Sequence, residues 1–263
     1  MPVPPASSTT PAAVTGLRLW TSALAMAVIS GRGLVRAFGG LVERRAWADG
    51  LIAVSFGISL LVMNFSIYQA FSRIPLGVAV TIEFLGPLAV AVAGSRHLRD
   101  VGWVVLAAAG VLLLTRGGHG SLDLTGVLFA ALAGACWAAY IVLSSATGRR
   151  FPGSAGLAIA MVVAGILITP PAVVAGGSAM FKPAVLATGA AIGILSSVIP
   201  YRLELEALRR MPMRLFGVWM SLEPAVAALI GLVLLGQQLS AVEWLAVGCV
   251  MVACAGAAGG ALP

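Results

Sequence analysis

The chain is a succession of long apolar runs separated by short polar interruptions, and Gly, Pro or Arg marks almost every interruption. Dividing it at that punctuation predicts nine helical spans, near 13–31, 48–70, 75–95, 101–117, 122–146, 154–176, 184–208, 212–235 and 241–260. A helix crosses the hydrocarbon layer with about 20 apolar residues, the length of most of these runs. The runs do not alternate strictly between apolar and polar, which favours helices over a β-barrel.

A duplication is visible in the same pattern. Ala70, Arg73, Pro75, Pro87 and Gly94 recur 137 positions later as Ala207, Arg210, Pro212, Pro224 and Gly231. The shift maps the first four spans onto the last four and leaves the fifth without a partner, whose counterpart would fall upstream of Met1. The expected design is therefore five plus five helices with the first one absent, through a late start, a truncation or a true loss. Because five is odd, the two halves would lie in opposite orientations, and paired halves with prolines inside apolar segments mark secondary transporters. Residues 1–13 are polar and proline-rich and read as a disordered segment; 14–118 form the first repeat and 122–260 the second.

Composition and charge agree with a membrane bundle. Hydrophobic residues make up 60% and charged ones 10% of 263 positions, and the mean hydropathy is +1.04, more apolar surface than a soluble core of this size can hide. The isoelectric point of about 10.4 does not indicate nucleic acid, because the basic residues sit between apolar runs and form no patch. Alternate loops place Arg32, Arg36, Arg44, Arg45, Arg96, Arg99, Arg149, Arg150, Arg209, Arg210 and Arg214 on one side, against Arg73, Arg116 and Lys182 on the other. By the positive-inside rule the first side, and with it the C-terminus, is cytoplasmic. No Lys or Arg precedes Arg18, which sits inside the first run, so a cleaved signal peptide is disfavoured. Cys136, Cys249 and Cys254 lack ligand spacing and read as packing residues, and His97 and His119 belong to no catalytic or metal pattern. No cofactor is expected.

Ionisable groups inside membrane spans are costly, at least about 2.5–3.5 kcal/mol at a helix centre, so the few present are candidates for function. Glu83 lies eight residues past Pro75 and four before Pro87, roughly 12 Å into its span at 1.5 Å per residue. Glu223 lies at similar depth past Pro212. Ser197, Tyr201 and Glu204 form a polar stripe at i, i+4 and i+7, while Pro200 supplies no amide to the carbonyl of Ser196. Arg202 and Glu206 lie on another face, and a local pair or snorkelling explains them. Asn64 and Tyr68 share a face with Gly57, and Trp137, Tyr140 and Ser144 share another. Each carboxylate has a structural alternative, an internal ion pair or a hydrogen bond to backbone freed near a proline. Each aromatic has one too, in packing or interfacial anchoring. Gly189 with Gly193, and Gly126 with Ala130 and Gly134, let helices approach closely.

These residues resemble a known family. Glu83-Phe84-Leu85-Gly86-Pro87-Leu88 after Ile74-Pro75-Leu76-Gly77, Ser196-Ser197-Val198-Ile199-Pro200-Tyr201, and Phe216-Gly217 followed by Ser221-Leu222-Glu223-Pro224 are similar to the EamA family of the drug/metabolite transporter superfamily. The likeness is greatest to its threonine/homoserine exporter branch and runs from about Val14 to Gly260. Cys136-Trp137-Ala138-Ala139-Tyr140 and Arg18 fit as well. The resemblance implies a ten-helix inner-membrane exporter of amino acids or related small metabolites. The chain departs from it by the missing first helix and by Gln237-Gln238, where many relatives carry a glutamate.

A mechanism follows as an expectation. A zwitterionic substrate bound between the repeats offers its ammonium to Glu83 and its carboxylate to Arg18 or to polar backbone at the proline breaks, and a poorly solvated glutamate exchanges a proton for it. The partners are thus a small-molecule substrate, protons and the lipid bilayer, and no nucleic acid. An intramembrane enzyme would need a converging nucleophile, base or metal set, and none emerges. The remaining alternatives are a drug or nucleoside exporter of the same superfamily and a truncated, non-transporting membrane paralogue.

Overall fold

The computed structural model describes residues 10–43, 47–93, 99–116, 122–151, 153–200, 203 and 219–259. The described residues are all-helical, without strand. The elements are α1 (Pro11–Glu43), α2 (Trp47–Phe71), α3 (Leu76–Glu83), α4 (Leu85–Ala93), α5 (Arg99–Arg116), α6 (Leu124–Gly148), α7 (Ala155–Gly176), a 3₁₀ turn (Gly177–Phe181), α8 (Pro183–Gly193), a π-turn (Ile194–Val198), α9 (Glu223–Leu235) and α10 (Ala241–Gly259). Among the described residues, five stretches, Pro11–Ala37, Trp47–Phe71, Leu124–Gly148, Ala155–Phe181 and Ala241–Ala258, are long and apolar enough to cross a membrane, and four shorter helices are apolar as well.

Two elements differ from the pattern reading. The first span runs past 31, and α1 bends at Gly31 (φ 43°, ψ −120°) on its way to Glu43. The span expected at 75–95 is broken at Phe84 into α3 and α4. Pro87 has no amide to give the carbonyl of Glu83, so the helix loses a rung there and a turn is inexpensive.

The chain divides into two compact units: Met1–Phe65 with Ala139–Leu205, and Ser66–Ala138 with Glu206–Pro263. In the first, α1 lies along α7, and α8 with its π-turn lies against α1. Its core holds Met26, Phe56, Leu60, Met161, Ile168 and Met180, each at most 2% exposed. The prolines Pro170 and Pro171 stand inside α7. One turn before them Trp20 Nε1 donates to the carbonyl of Gly165 at 3.1 Å and to Thr169 Oγ1 at 2.9 Å. Its indole N–H thus meets both a backbone carbonyl and a hydroxyl within an apolar helix pair, where an unpaired polar group would be costly. Asp49 and Arg150 pair at 2.9 Å where α2 begins and α6 has just ended.

In the second unit α10 lies along α5 and α9 along α3. Helix α3 is buried from Gly77 to Glu83, and apart from Thr81 and the closing Glu83 its residues are apolar, as befits a central helix. Its first amide, Leu76 N–H, donates to the side-chain oxygen of Gln237 at 2.9 Å, 161 positions away. The turn carrying Gln237 is closed by its own amide bonding the Gly231 carbonyl at 3.0 Å, the six-to-one bond of a helix end. Ser240 and Glu243 then form a reciprocal cap at the start of α10, at 2.6 and 3.2 Å, so the buried Glu243 is structural.

Within the units, spans pack against their own counterparts at the 137-residue shift: α1 on α7, the third span's α3 on the eighth span's α9, and α5 on α10. Gln237 ties this arrangement to the start of α3. Gln237→Leu is expected to cost about 1–3 kcal/mol, the penalty of a part-buried amide left without acceptor, whereas Gln237→Glu keeps the acceptor and puts negative charge at a helix start. Thermal unfolding in detergent should show a lowered Tm for the first and an unchanged or raised Tm for the second.

Candidate functional site

Arg18 and Ser197, read from the sequence as separate candidates, meet in the first unit. Arg18 Nε donates to Ser197 Oγ at 2.6 Å and Nη2 to the Ser196 carbonyl at 2.9 Å. That carbonyl is the one Pro200 leaves without an α-helical amide. Here the helix is already out of register: Ile194–Val198 forms a π-turn in which Ile199 N–H reaches the Ile194 carbonyl. Ser196 Oγ donates back to Ile192 at 2.6 Å, and Ser197 is 2% exposed. Gly193 makes the approach possible, because a Cβ there would lie 2.8 Å from Thr21 Cβ and 3.1 Å from the Arg18 carbonyl oxygen. The result is a guanidinium inside an apolar unit, aimed at a break in α8. An apolar pocket of about 250 Å³ lies between α1 and α8, lined by Val14, Leu17, Val185, Thr188, Gly189 and Ile192 and not by Arg18 itself.

Glu83 ends α3 in the second unit and is 9% exposed. The turn that follows is held from one side by α6. Phe84 stacks edge-on against Trp137, with ring centroids 4.9 Å apart, and Gly134, one turn earlier on α6, passes so close that a Cβ on it would lie 2.7 Å from the Glu83 carbonyl oxygen. Trp137 therefore belongs to the wall that shapes the Glu83 turn. Glu223 stands in the first turn of α9, one residue before Pro224, and is exposed.

The other candidates are placed as follows. Asn64 is 3% exposed and its Nδ2 donates to the Leu60 carbonyl at 2.8 Å, a bond to its own helix. Tyr68, half-buried, meets Phe71 edge-on at 5.9 Å. Tyr140 packs on Phe56 at 5.2 Å in the first unit's core. Tyr201 and Glu204 lie outside the described residues, as do Arg202, Glu206, His97 and His119. Sequence reading missed Trp20 and Gln237 as binders of distant backbone. Trp20 offered a signal in its place two residues after Arg18, and Gln237 in its departure from the family pattern.

A model of the EamA-like transporter family matches residues 124–258. The chain is 42% identical over 203 residues to the threonine/homoserine exporter RhtA of Escherichia coli (strain K12), covering 76% of this chain and 68% of that one. Identity is likewise 42% over 200 residues to the protein of the same name in Salmonella typhimurium (strain SL1344), covering 75% and 67%. To the uncharacterized transporter YwfM of Bacillus subtilis (strain 168) it is 30% over 159 residues, covering 59% and 54%. One solved crystal structure superposes with a TM-score of 0.62 at 20% identity, covering 95% of this chain and 89% of that chain, which speaks to the fold alone.

The crossing at Gly134 is testable apart from transport. Gly134→Val should push α6 off the Glu83 turn and cost about 1–3 kcal/mol, the range for overpacking, seen as a lowered Tm in detergent. Gly102→Ala on α5, where a Cβ meets nothing within 4 Å, should leave Tm unchanged or raise it by the equivalent of about 0.5–1 kcal/mol.

Proposed function

The chain belongs to the EamA-like transporter family, and from that premise we propose that it exports amino acids of the threonine and homoserine type, or related small metabolites, across the cell inner membrane in exchange for protons. Its similarity to threonine/homoserine exporters supports the substrate class. The observation that carries the chemistry is that a cation and a carboxylate each stand at a proline break in an apolar span: Arg18 on the α8 break before Pro200, Glu83 on the α3–α4 break before Pro87. A zwitterion needs one group of each sign. Arg18 takes the substrate carboxylate, because a planar guanidinium matches it bidentately. Glu83 takes the ammonium and, when substrate leaves, a proton.

The halves that alternate are 14–118 and 122–260, in opposite orientations, with the site between them. The packing of spans on their counterparts 137 positions away supports this, since a duplicated bundle related by a twofold axis produces that pairing. The C-terminus lies in the cytoplasm, on the side of the arginine-rich loops.

Overexpression in cells should raise extracellular threonine and homoserine and raise tolerance to both. Raised tolerance to cationic drugs or nucleosides with no change in amino acids would transfer the protein to the other exporter class. In vesicles, acid on the trans side should accelerate threonine efflux. Glu83→Gln should cut that efflux at least about tenfold, the equivalent of about 1.4 kcal/mol in the barrier, and abolish its pH dependence. Unchanged rate and unchanged pH profile would remove Glu83 from the mechanism. A fluorescent protein fused to the C-terminus should mature, and alkaline phosphatase at the same place should stay inactive.

A further inference from the structure

The guanidinium edge that would receive a substrate is already occupied. Arg18 uses Nε and Nη2 on Ser197 Oγ and the Ser196 carbonyl, at 2.6 and 2.9 Å. These two donors share one edge of the planar guanidinium, which makes them the pair that binds a carboxylate side-on. A carboxylate and the α8 break therefore exclude each other on this edge. The break is also the element able to respond. A π-turn is a local register fault that recurs at functional sites, this one is followed by a proline that withholds an amide, and its Ser196 carbonyl is held from outside the helix by Arg18.

We propose that substrate carboxylate displaces Ser197 Oγ and the Ser196 carbonyl from Arg18, so that binding unlatches the π-turn of α8. This rests on the exporter reading, which supplies the carboxylate. Ser197 is then a positioning residue: it holds Arg18 in the empty protein and competes with the substrate without touching it. Its loss should tighten binding, the opposite of what removing a substrate ligand does.

The test is threonine transport by reconstituted wild-type, Ser197→Ala and Ser197→Thr proteins, with hydrogen–deuterium exchange over residues 190–200. Ser197→Ala should lower KM for threonine by about two- to tenfold, the effect of one net hydrogen bond no longer competing, with a smaller change in maximal rate. Ser197→Thr keeps the hydroxyl and should keep the wild-type KM. Without threonine the α8 segment should exchange faster in Ser197→Ala than in wild type, and adding threonine should raise wild-type exchange toward that level. A KM that rises or holds in Ser197→Ala overturns the proposal, as does threonine slowing exchange in wild-type α8. Wild-type protein that neither transports nor binds threonine overturns the exporter reading and the proposal with it. That outcome is distinguishable, because the ligand-free exchange difference between the two proteins survives it.

Discussion

A guanidinium among apolar helices is tolerable only where acceptors meet its protons, and in this protein Arg18 finds two of them in a stretch of helix that cannot satisfy itself. Pro200 withholds an amide, the helix slips into a π-turn, and the carbonyl at Ser196 is taken by Arg18 at 2.9 Å. Neither side of that contact is comfortable alone. A carbonyl left without a donor is expensive away from water, and the bond to Arg18 lowers that cost while holding positive charge at the helix break.

The same logic recurs at Glu83 with the sign reversed. Pro87 interrupts the helix, Phe84 turns, and α6 closes on the turn through Gly134 and Trp137. A carboxylate at such a place sits beside backbone already released from helical bonding. Elsewhere among the described residues several polar groups are spent on structure: Ser240 with Glu243, Trp20 with Thr169, Leu76 N–H with Gln237.

Much of this was legible in the sequence because the signals are local. Apolar run lengths gave the helices, identical residue types at a fixed shift gave the duplication, and Pro200 announced the free carbonyl of Ser196. The donor to that carbonyl was not legible, because Arg18 lies 178 positions away and a sequence carries no distances between spans. The break at Phe84 was missed for a related reason: Pro87 permits a turn, but the close pass of Gly134 that fills the space around it belongs to another helix. Glu83 was read as deep and is buried. Glu223, read at similar depth, stands exposed in the first turn of α9. Trp137 and Tyr140, read as sharing a face of one helix, pack on different rings, Phe84 and Phe56.

The central claim is that Arg18 recognises a carboxylate in competition with Ser197 Oγ and the Ser196 carbonyl of the π-turn after α8. The most direct measurement is calorimetric titration of purified protein with L-threonine and with threonine amide, which keeps the ammonium and hydroxyl and lacks the acid. Binding of threonine together with no measurable binding of the amide is the result predicted. Equal affinity for the two would contradict the account.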